Sequence, residues 1–175
     1  MRKTRKIKLK KAFSDKKIAS VVAKLGKRIR KDAGDGEIFL LGILKGTSCF
    51  LPDLMRAISG EVGFGYIDMI LDVSDTQVAS AVEISYLSHT HLRGRHVYLL
   101  KDVVSTGVIE NYLLTQLRQK DPTDIKLVAL LDHVDQRTVD IEPDYRAFKV
   151  GPGTYVGYGL EREGQFGNLP YIAKA

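Results

Sequence analysis

A single cysteine, Cys49, and no tryptophan stand among 175 residues. One cysteine excludes an intramolecular disulfide and a cysteine-built metal site, so a reducing, intracellular setting is expected, and we read the chain as cytoplasmic. No apolar run is long enough to cross a bilayer, and the N-terminus lacks the apolar segment of a secretory signal, so no membrane partner is expected. The Gly-x-x-x-x-Gly-Lys spacing of a P-loop is also missing. What remains, at 44% hydrophobic content, is enough for one domain with a full core and too little for a second.

Charge is unevenly placed. Residues 1–31 carry 14 Lys or Arg against one acid, Asp15, whereas the whole chain is only +6, so the remainder is net negative. A start such as MRKTRKIKLKK binds nucleic acid by counterion release or is simply solvated. It has no interleaved aromatic residues on which bases would stack, which favours the solvated reading. We therefore divide the chain into a basic tail, residues 1–11, and a single domain, residues 12–175.

Ser14 is placed as an N-cap, and Ile18, Val21, Val22, Leu25 and Ile29 follow at helical spacing, predicting an amphipathic helix ending near Ala33-Gly34. Glu37 to Leu44 reads as a buried strand, Lys45-Gly46-Thr47 as a turn and Phe50 to Ile58 as a short helix. Tyr66 to Leu71 and Val82 to Leu87 read as strands around a polar connection, Asp72 to Gln77. A helix to about Gln119 and a strand from Ile125 to Leu131 continue the alternation. Short β-prone pieces follow at Tyr145 to Val150 and Thr154 to Tyr158. The pattern predicts an α/β fold with a parallel sheet covered by helices on both faces.

The most informative stretch is HVYLLKDVVSTG, His96 to Gly107. Val97 to Leu100 is too continuously apolar for a strand with one wet face, and Ile109 to Leu117 carries apolar residues at helical spacing. A turn between a parallel strand and a helix N-terminus collects backbone N–H groups and the positive end of the helix dipole, which suits a phosphate.

Four blocks in order then carry a resemblance: GILKGTSCFLPDLMRAI from Gly42, LRGRHVYLLKDVVSTG from Leu92, DIKLVALLD from Asp124 and YVGYGLEREGQFGNLPYI from Tyr155. Together they resemble the type I phosphoribosyltransferases, in particular the bacterial hypoxanthine-guanine enzymes of purine salvage, from about Lys8 to Ile172. The resemblance implies that fold, with a small hood built from the chain's two ends, and commonly a homo-oligomer, dimer or tetramer. It implies a reaction in which a purine nitrogen displaces magnesium-bound pyrophosphate from a ribose carbon of phosphoribosyl pyrophosphate. Lys45-Gly46 matches the pyrophosphate loop, in which family members often hold a cis peptide, and Thr106-Gly107 matches the 5′-phosphate loop.

Several matched positions carry unusual residues. Where the family has two adjacent acids, this chain has Lys101 and Asp102. Asp102 keeps a ribose-side and metal-side role, while Lys101 either turns to solvent or places positive charge against the magnesium. At an effective dielectric of about 20, a like charge ~5 Å away costs on the order of 3 kcal/mol. Ser105 replaces the aspartate that handles the purine proton, and Val108 and Ile109 replace polar residues of the phosphate loop. His133 aligns with a base-recognising lysine. Thr154, beside Tyr155, aligns with the aromatic that stacks on the purine, and Tyr155 supplies a ring only after a one-residue register change. Glu161 matches a late metal-side acid, Gly167 stands where an arginine contacts pyrophosphate, and the Ser-Tyr pair of the closing loop becomes Ser74-Asp75. His89, His91 and His96 are expected to be structural or exposed.

These substitutions fall together on the chemistry while the apolar pattern is intact. The expected function is thus a phosphoribosyltransferase-like protein with weak or lost purine transfer that binds phosphoribosyl pyrophosphate, with magnesium, or a purine nucleotide. The substrate-side set is Lys45, Gly46, Asp102, Ser105, Thr106, Gly107, His133 and Tyr155, with Asp102 and Glu161 toward the metal. An active enzyme with an atypical site, a nucleotide-sensing regulator that binds nucleic acid through its basic start, and a partner of an active paralogue remain open.

Overall fold

In the computed structural model, which describes residues 8–70, 83–84 and 91–175, helix α1 (Asp15–Ala33) starts at Ser14, whose side chain accepts a hydrogen bond from the Lys17 N–H at 3.3 Å. The helix buries Ile18, Val22, Leu25 and Ile29 along one stripe, as the spacing predicts. Five parallel strands form the main sheet in the order β3 (Val62–Ile67), β2 (Ile38–Ile43), β6 (His96–Val104), β7 (Asp124–Asp132) and β8 (Tyr145–Lys149). A short pair, β4 (Met69–Ile70) and β5 (Glu83–Ile84), is antiparallel.

Alternate residues of the central strands feed two cores. Leu40, Tyr98, Leu100, Val128 and Leu130 pack with α1 and with α2 (Phe50–Ala57) on one face. Leu41, Val97, Leu99, Leu127 and Ala129 pack with Leu113, Leu114 and Leu117 of α3 (Val108–Arg118) on the other. Burial on both faces is why these strands read as continuous apolar runs instead of alternating ones. At the N-terminal edge His96 Nδ1 meets Asp124 Oδ1 at 2.8 Å, tying β6 to β7, and His91 is exposed.

The hood is a three-stranded antiparallel sheet in the order β1 (Lys10–Phe13), β10 (Ile172–Lys174), β9 (Tyr155–Val156). Lys10 and Lys11, read from sequence as the end of a tail, are thus the start of a strand, opposite Lys174 and Ala173. Their side chains are exposed; backbone pairing fixes them, with the Lys11 ammonium 4.3 Å from the centre of the Tyr171 ring, and composition does not reveal it.

The strand expected from Tyr66 begins at Val62 instead. Glycines hide it: an ideal Cβ on Gly63 would stand 2.8 Å from the Phe39 ring, so β3 is glycine-rich where β2 sends an aromatic side chain across it. The piece expected from Thr154 to Tyr158 keeps strand form only at Tyr155–Val156, because Gly157 and Tyr158 turn at positive φ, 95° and 54°. The connection from Asp72 to Gln77 lies outside the described residues, as do Ser74-Asp75, His89 and most of the strand expected over Val82 to Leu87.

Close approach of α1 to α2 gives a direct test. An ideal Cβ on Gly26 would lie 2.6 Å from the Ala57 carbonyl oxygen, which is backbone and cannot move aside cheaply. Alanine is favoured over glycine in a helix by about 1 kcal/mol, yet Gly26→Ala should lower the unfolding free energy, by about 1–3 kcal/mol through overpacking. Urea unfolding of the two proteins measures this, and a gain in stability would contradict the packing described.

Candidate functional site

The C-terminal ends of the parallel strands do not finish level. β6 pairs with β2 only as far as Leu100 opposite Gly42, but with β7 through Val104 opposite Asp132. β6 and β7 therefore rise past the end of β2, and the space above β2 holds the turn after it. In that turn the Leu44–Lys45 peptide is cis, Thr47 donates to the Ile43 carbonyl at 2.7 Å, and the Ser48 N–H reaches the Lys45 carbonyl at 3.0 Å. Lys45 is exposed at its tip. The cis bond precedes Lys45 and lies one peptide before Lys45-Gly46.

Gly46 faces β6. An ideal Cβ there would stand 1.8 Å from Asp102 Oδ2, so only glycine lets the carboxylate lie against this turn. The other oxygen of Asp102 meets Lys101 Nζ at 2.6 Å, with both side chains about one-fifth exposed. Lys101 does not turn to solvent; it folds back onto its neighbour.

Beyond β6, Ser105 is half-buried and Thr106 exposed, and Gly107 opens α3 at φ 82°, a left-handed value that favours glycine. Segment 137–141 packs behind this loop. Arg137 Nη1 donates to the Ser105 carbonyl at 2.9 Å, the Thr138 N–H to the Thr106 carbonyl at 3.0 Å, and an ideal Cβ on Gly107 would stand 2.4 Å from a methyl of Ile141. The Ser105 and Thr106 carbonyls are thus held from behind, and at the start of α3 the Val108 N–H lies 3.5 Å from the Thr106 hydroxyl.

Arg137 also donates to Asp132 Oδ1 at 2.5 Å, and Arg146 Nη1 lies 3.0 Å from Asp132 Oδ2. Asp132 is fully buried, and two guanidinium groups offset the cost of its charge. His133, next in the chain, is only 4% exposed, and its Nε2 has no hydrogen-bond partner among the described residues. Glu110, in the first turn of α3, is 3% exposed. Burial pushes its carboxyl above the ordinary 4.5; nearby Lys101 and Arg137 oppose the shift and Asp102 adds to it.

The hood closes over the β2 turn. An ideal Cβ on Gly159 would be 3.0 Å from the Gly46 carbonyl oxygen. Tyr158 donates to Asp53 of α2 at 2.6 Å, and burial with that hydrogen bond raises the phenol well above its ordinary value, so it stays a neutral donor. Glu161 is exposed and fills the space a side chain at position 167 would take, since an ideal Cβ on Gly167 would lie 2.9 Å from its Cγ. Thr154 is exposed. Tyr155 is bound into β9, with its hydroxyl on the Gly151 carbonyl at 3.1 Å.

Of the residues singled out from sequence, Lys45, Gly46 and Asp102 come together in one corner, and Gly159 brings the segment leading to Glu161 and Gly167 against it. Ser105, Thr106 and Gly107 form the adjoining loop, and His133 follows the neighbouring strand end. Sequence reasoning missed Glu110, Arg137 and Arg146. Glu110 had a signal: with Leu113, Leu114 and Leu117 it completes the i, i+3, i+4, i+7 stripe of α3, so an acid occupies a core-facing position.

Residues 11–163 match the family model described as "Phosphoribosyl transferase domain". The chain is 30% identical over 91% of its length to the hypoxanthine-guanine phosphoribosyltransferase of Streptococcus pneumoniae (strain R6), covering 88% of that protein. It is also 30% identical to the enzyme of the same name from Bacillus subtilis (strain 168), with 91% and 89% covered. A crystal structure of a hypoxanthine phosphoribosyltransferase from Staphylococcus aureus superposes with a TM-score of 0.87 at 26% identity, over 94% of this chain and 90% of that one.

Glu110 makes a pH prediction. Because its folded-state carboxyl titrates above the unfolded one, the folded chain holds the extra proton in the window between the two, and stability falls as pH rises through it. Glu110→Gln removes that loss. Urea midpoints of the variant and the parent should be nearest at pH values below 4.5 and should diverge above it, with the variant more stable. Parallel profiles would show that Glu110 is not buried as described.

Proposed function

The chain belongs to the phosphoribosyl transferase domain family, and from that premise we propose that it keeps a phosphoribosyl-binding cleft while its transfer of phosphoribosyl to hypoxanthine or guanine is weak or lost. The observation that supports the reading is a strand-to-helix loop that keeps Gly107 and its backbone donors, with a serine at its mouth. Gly107 and α3 are set to receive a phosphate, yet the side chain beside them is the Ser105 hydroxyl.

The reaction explains why this matters. The bond from the ribose carbon to pyrophosphate breaks with its electron pair leaving on oxygen, a purine nitrogen forms the new bond, and that nitrogen's proton must go to a base. A serine hydroxyl is not ionised near neutral pH and is a poor acceptor for that proton, whereas a positioned acid-base group supplies about 10²- to 10⁴-fold. Binding is less affected. Lys45 offers a cation beside Gly46 and the loop offers backbone donors, while His133, buried with its Nε2 unpartnered among the described residues, follows the neighbouring strand end.

The family implies a magnesium ion accompanying the pyrophosphate, but the side chains present do not fit a protein-held ion. Asp102 gives one oxygen to the Lys101 ammonium, and among the described residues no three acid, histidine or cysteine side chains gather. The reading keeps a homo-oligomer and a cytoplasmic setting as proposals. No helix among the described residues is long and apolar enough to cross a membrane.

The test is turnover with hypoxanthine and guanine, beside calorimetry with phosphoribosyl pyrophosphate and with the corresponding nucleoside monophosphates. The parent should bind at least one of these ligands. Ser105→Asp should raise kcat by about 10²-fold or more while changing nucleotide affinity little. Rapid turnover by the parent, with no gain in the variant, would mean an active enzyme with an atypical site. Absence of binding to every ligand would remove the cleft reading altogether.

A further inference from the structure

We propose that Lys101 is a built-in cation of the cleft, whose ammonium takes the place of a ribose-side metal ion, so that phosphoribosyl pyrophosphate binds without magnesium. The inference rests on the phosphoribosyl-binding reading and goes beyond it. Its first support is position. Lys101 follows Leu100, the last residue of β6 that pairs with β2, and its Nζ is held 2.6 Å from Asp102 Oδ1 while Asp102 Oδ2 lies against Gly46. One carboxylate thus joins the ammonium to the turn that also carries Lys45.

Its second support is donor count. An ammonium has three N–H groups, and one is directed at Asp102, which leaves two for ligand oxygens. Lys101 is the only side-chain donor that Asp102 has among the described residues.

Its third support is the state of the other charges. Asp132 is matched by Arg137 and Arg146, so that buried acid does not call for a dication. Glu110 lies near enough to Lys101 for the two to influence each other, and its carboxyl is withdrawn from solvent. A magnesium ion seated on Asp102 would displace Lys101 or stand against it, whereas an arriving pyrophosphate, strongly negative, meets Lys45 and Lys101 with no ion needed between them.

The test is calorimetric titration of the full chain with phosphoribosyl pyrophosphate, once in excess chelator and once in excess magnesium. It uses the parent, Lys101→Gln and Lys101→Glu, each checked for its fold by circular dichroism. The parent should bind in chelator within about threefold of its affinity in magnesium. Loss of a charge-assisted hydrogen bond should weaken Lys101→Gln in chelator by about 10- to 100-fold. Lys101→Glu, which restores two adjacent acids, should bind only when magnesium is present.

Binding by the parent in magnesium alone, or unchanged metal-free binding by Lys101→Gln, overturns the inference and leaves the cleft reading standing. Failure of the parent to bind under either condition overturns the inference, and the titrations with nucleoside monophosphates then decide the cleft reading. If a variant does not fold, the two titrations of the parent still decide.

Discussion

Everything at the site depends on the stagger between β2 and β6. Three parallel strands with both faces buried must run side by side through the core, and that requirement fixes Leu40, Tyr98 and Val128 in one layer. It does not fix where each strand stops. Because β2 ends at Ile43 while β6 and β7 continue to Val104 and Asp132, a step forms at the sheet's C-terminal edge. The turn through Lys45 and Gly46 lies on the lower tread, and the Ser105–Gly107 loop crowns the upper one. Ligands of open parallel sheets lie at such edges, and here the step sets the spacing between the two turns.

Charge on this step is settled mostly within the chain. Asp102 is answered by Lys101, and Asp132 by two arginines. An enzyme that relies on a dication leaves carboxylates exposed to it, and such a site carries unbalanced negative charge until the ion arrives. Here the balance is already close to neutral. Glu110 is the exception: a buried acid held above its ordinary range costs stability near neutral pH, and hydrophobic residues at that position of α3 would avoid the cost. Its nearness to Lys101 gives the cost a rationale, since a largely buried ammonium gains from a second nearby carboxylate.

The core was legible from the sequence because burial on both faces writes itself as uninterrupted apolar runs, and α1 announced itself through Ser14 and a clean 3.6-residue stripe. The β3 strand was misplaced because its glycines serve a neighbour: they make room for Phe39, a residue more than twenty positions earlier, and no local pattern reports that. The pairing of Lys10 and Lys11 is hidden for a similar reason, since their partners lie at the other end of the chain. At the site, Gly46 and Gly107 could be placed by motif, but whether Lys101 would face solvent or Asp102 is a question of side-chain geometry. The Arg137 bridge from Asp132 to the Ser105 carbonyl joins residues up to 32 positions apart, and an arginine in a polar loop carries no signature of it.

The glycines and the charged pairs bear differently on function. Gly46, Gly107 and Gly159 are required wherever two backbones or a backbone and a side chain come this close, so they would persist in a protein that bound nothing. They argue for the scaffold. Lys101 and Glu110 are not needed for packing: Lys101 spends its ammonium on Asp102 and contributes to neither core, and a leucine at position 110 would complete the α3 stripe at lower cost. Residues that carry charge at a cost to the fold, and do so at the edge where the Lys45-Gly46 turn and the Ser105–Gly107 loop meet, are better explained by a ligand than by the fold. The glycines therefore give the cleft its shape, and the Lys101–Asp102–Glu110 group is where its specificity has to be sought.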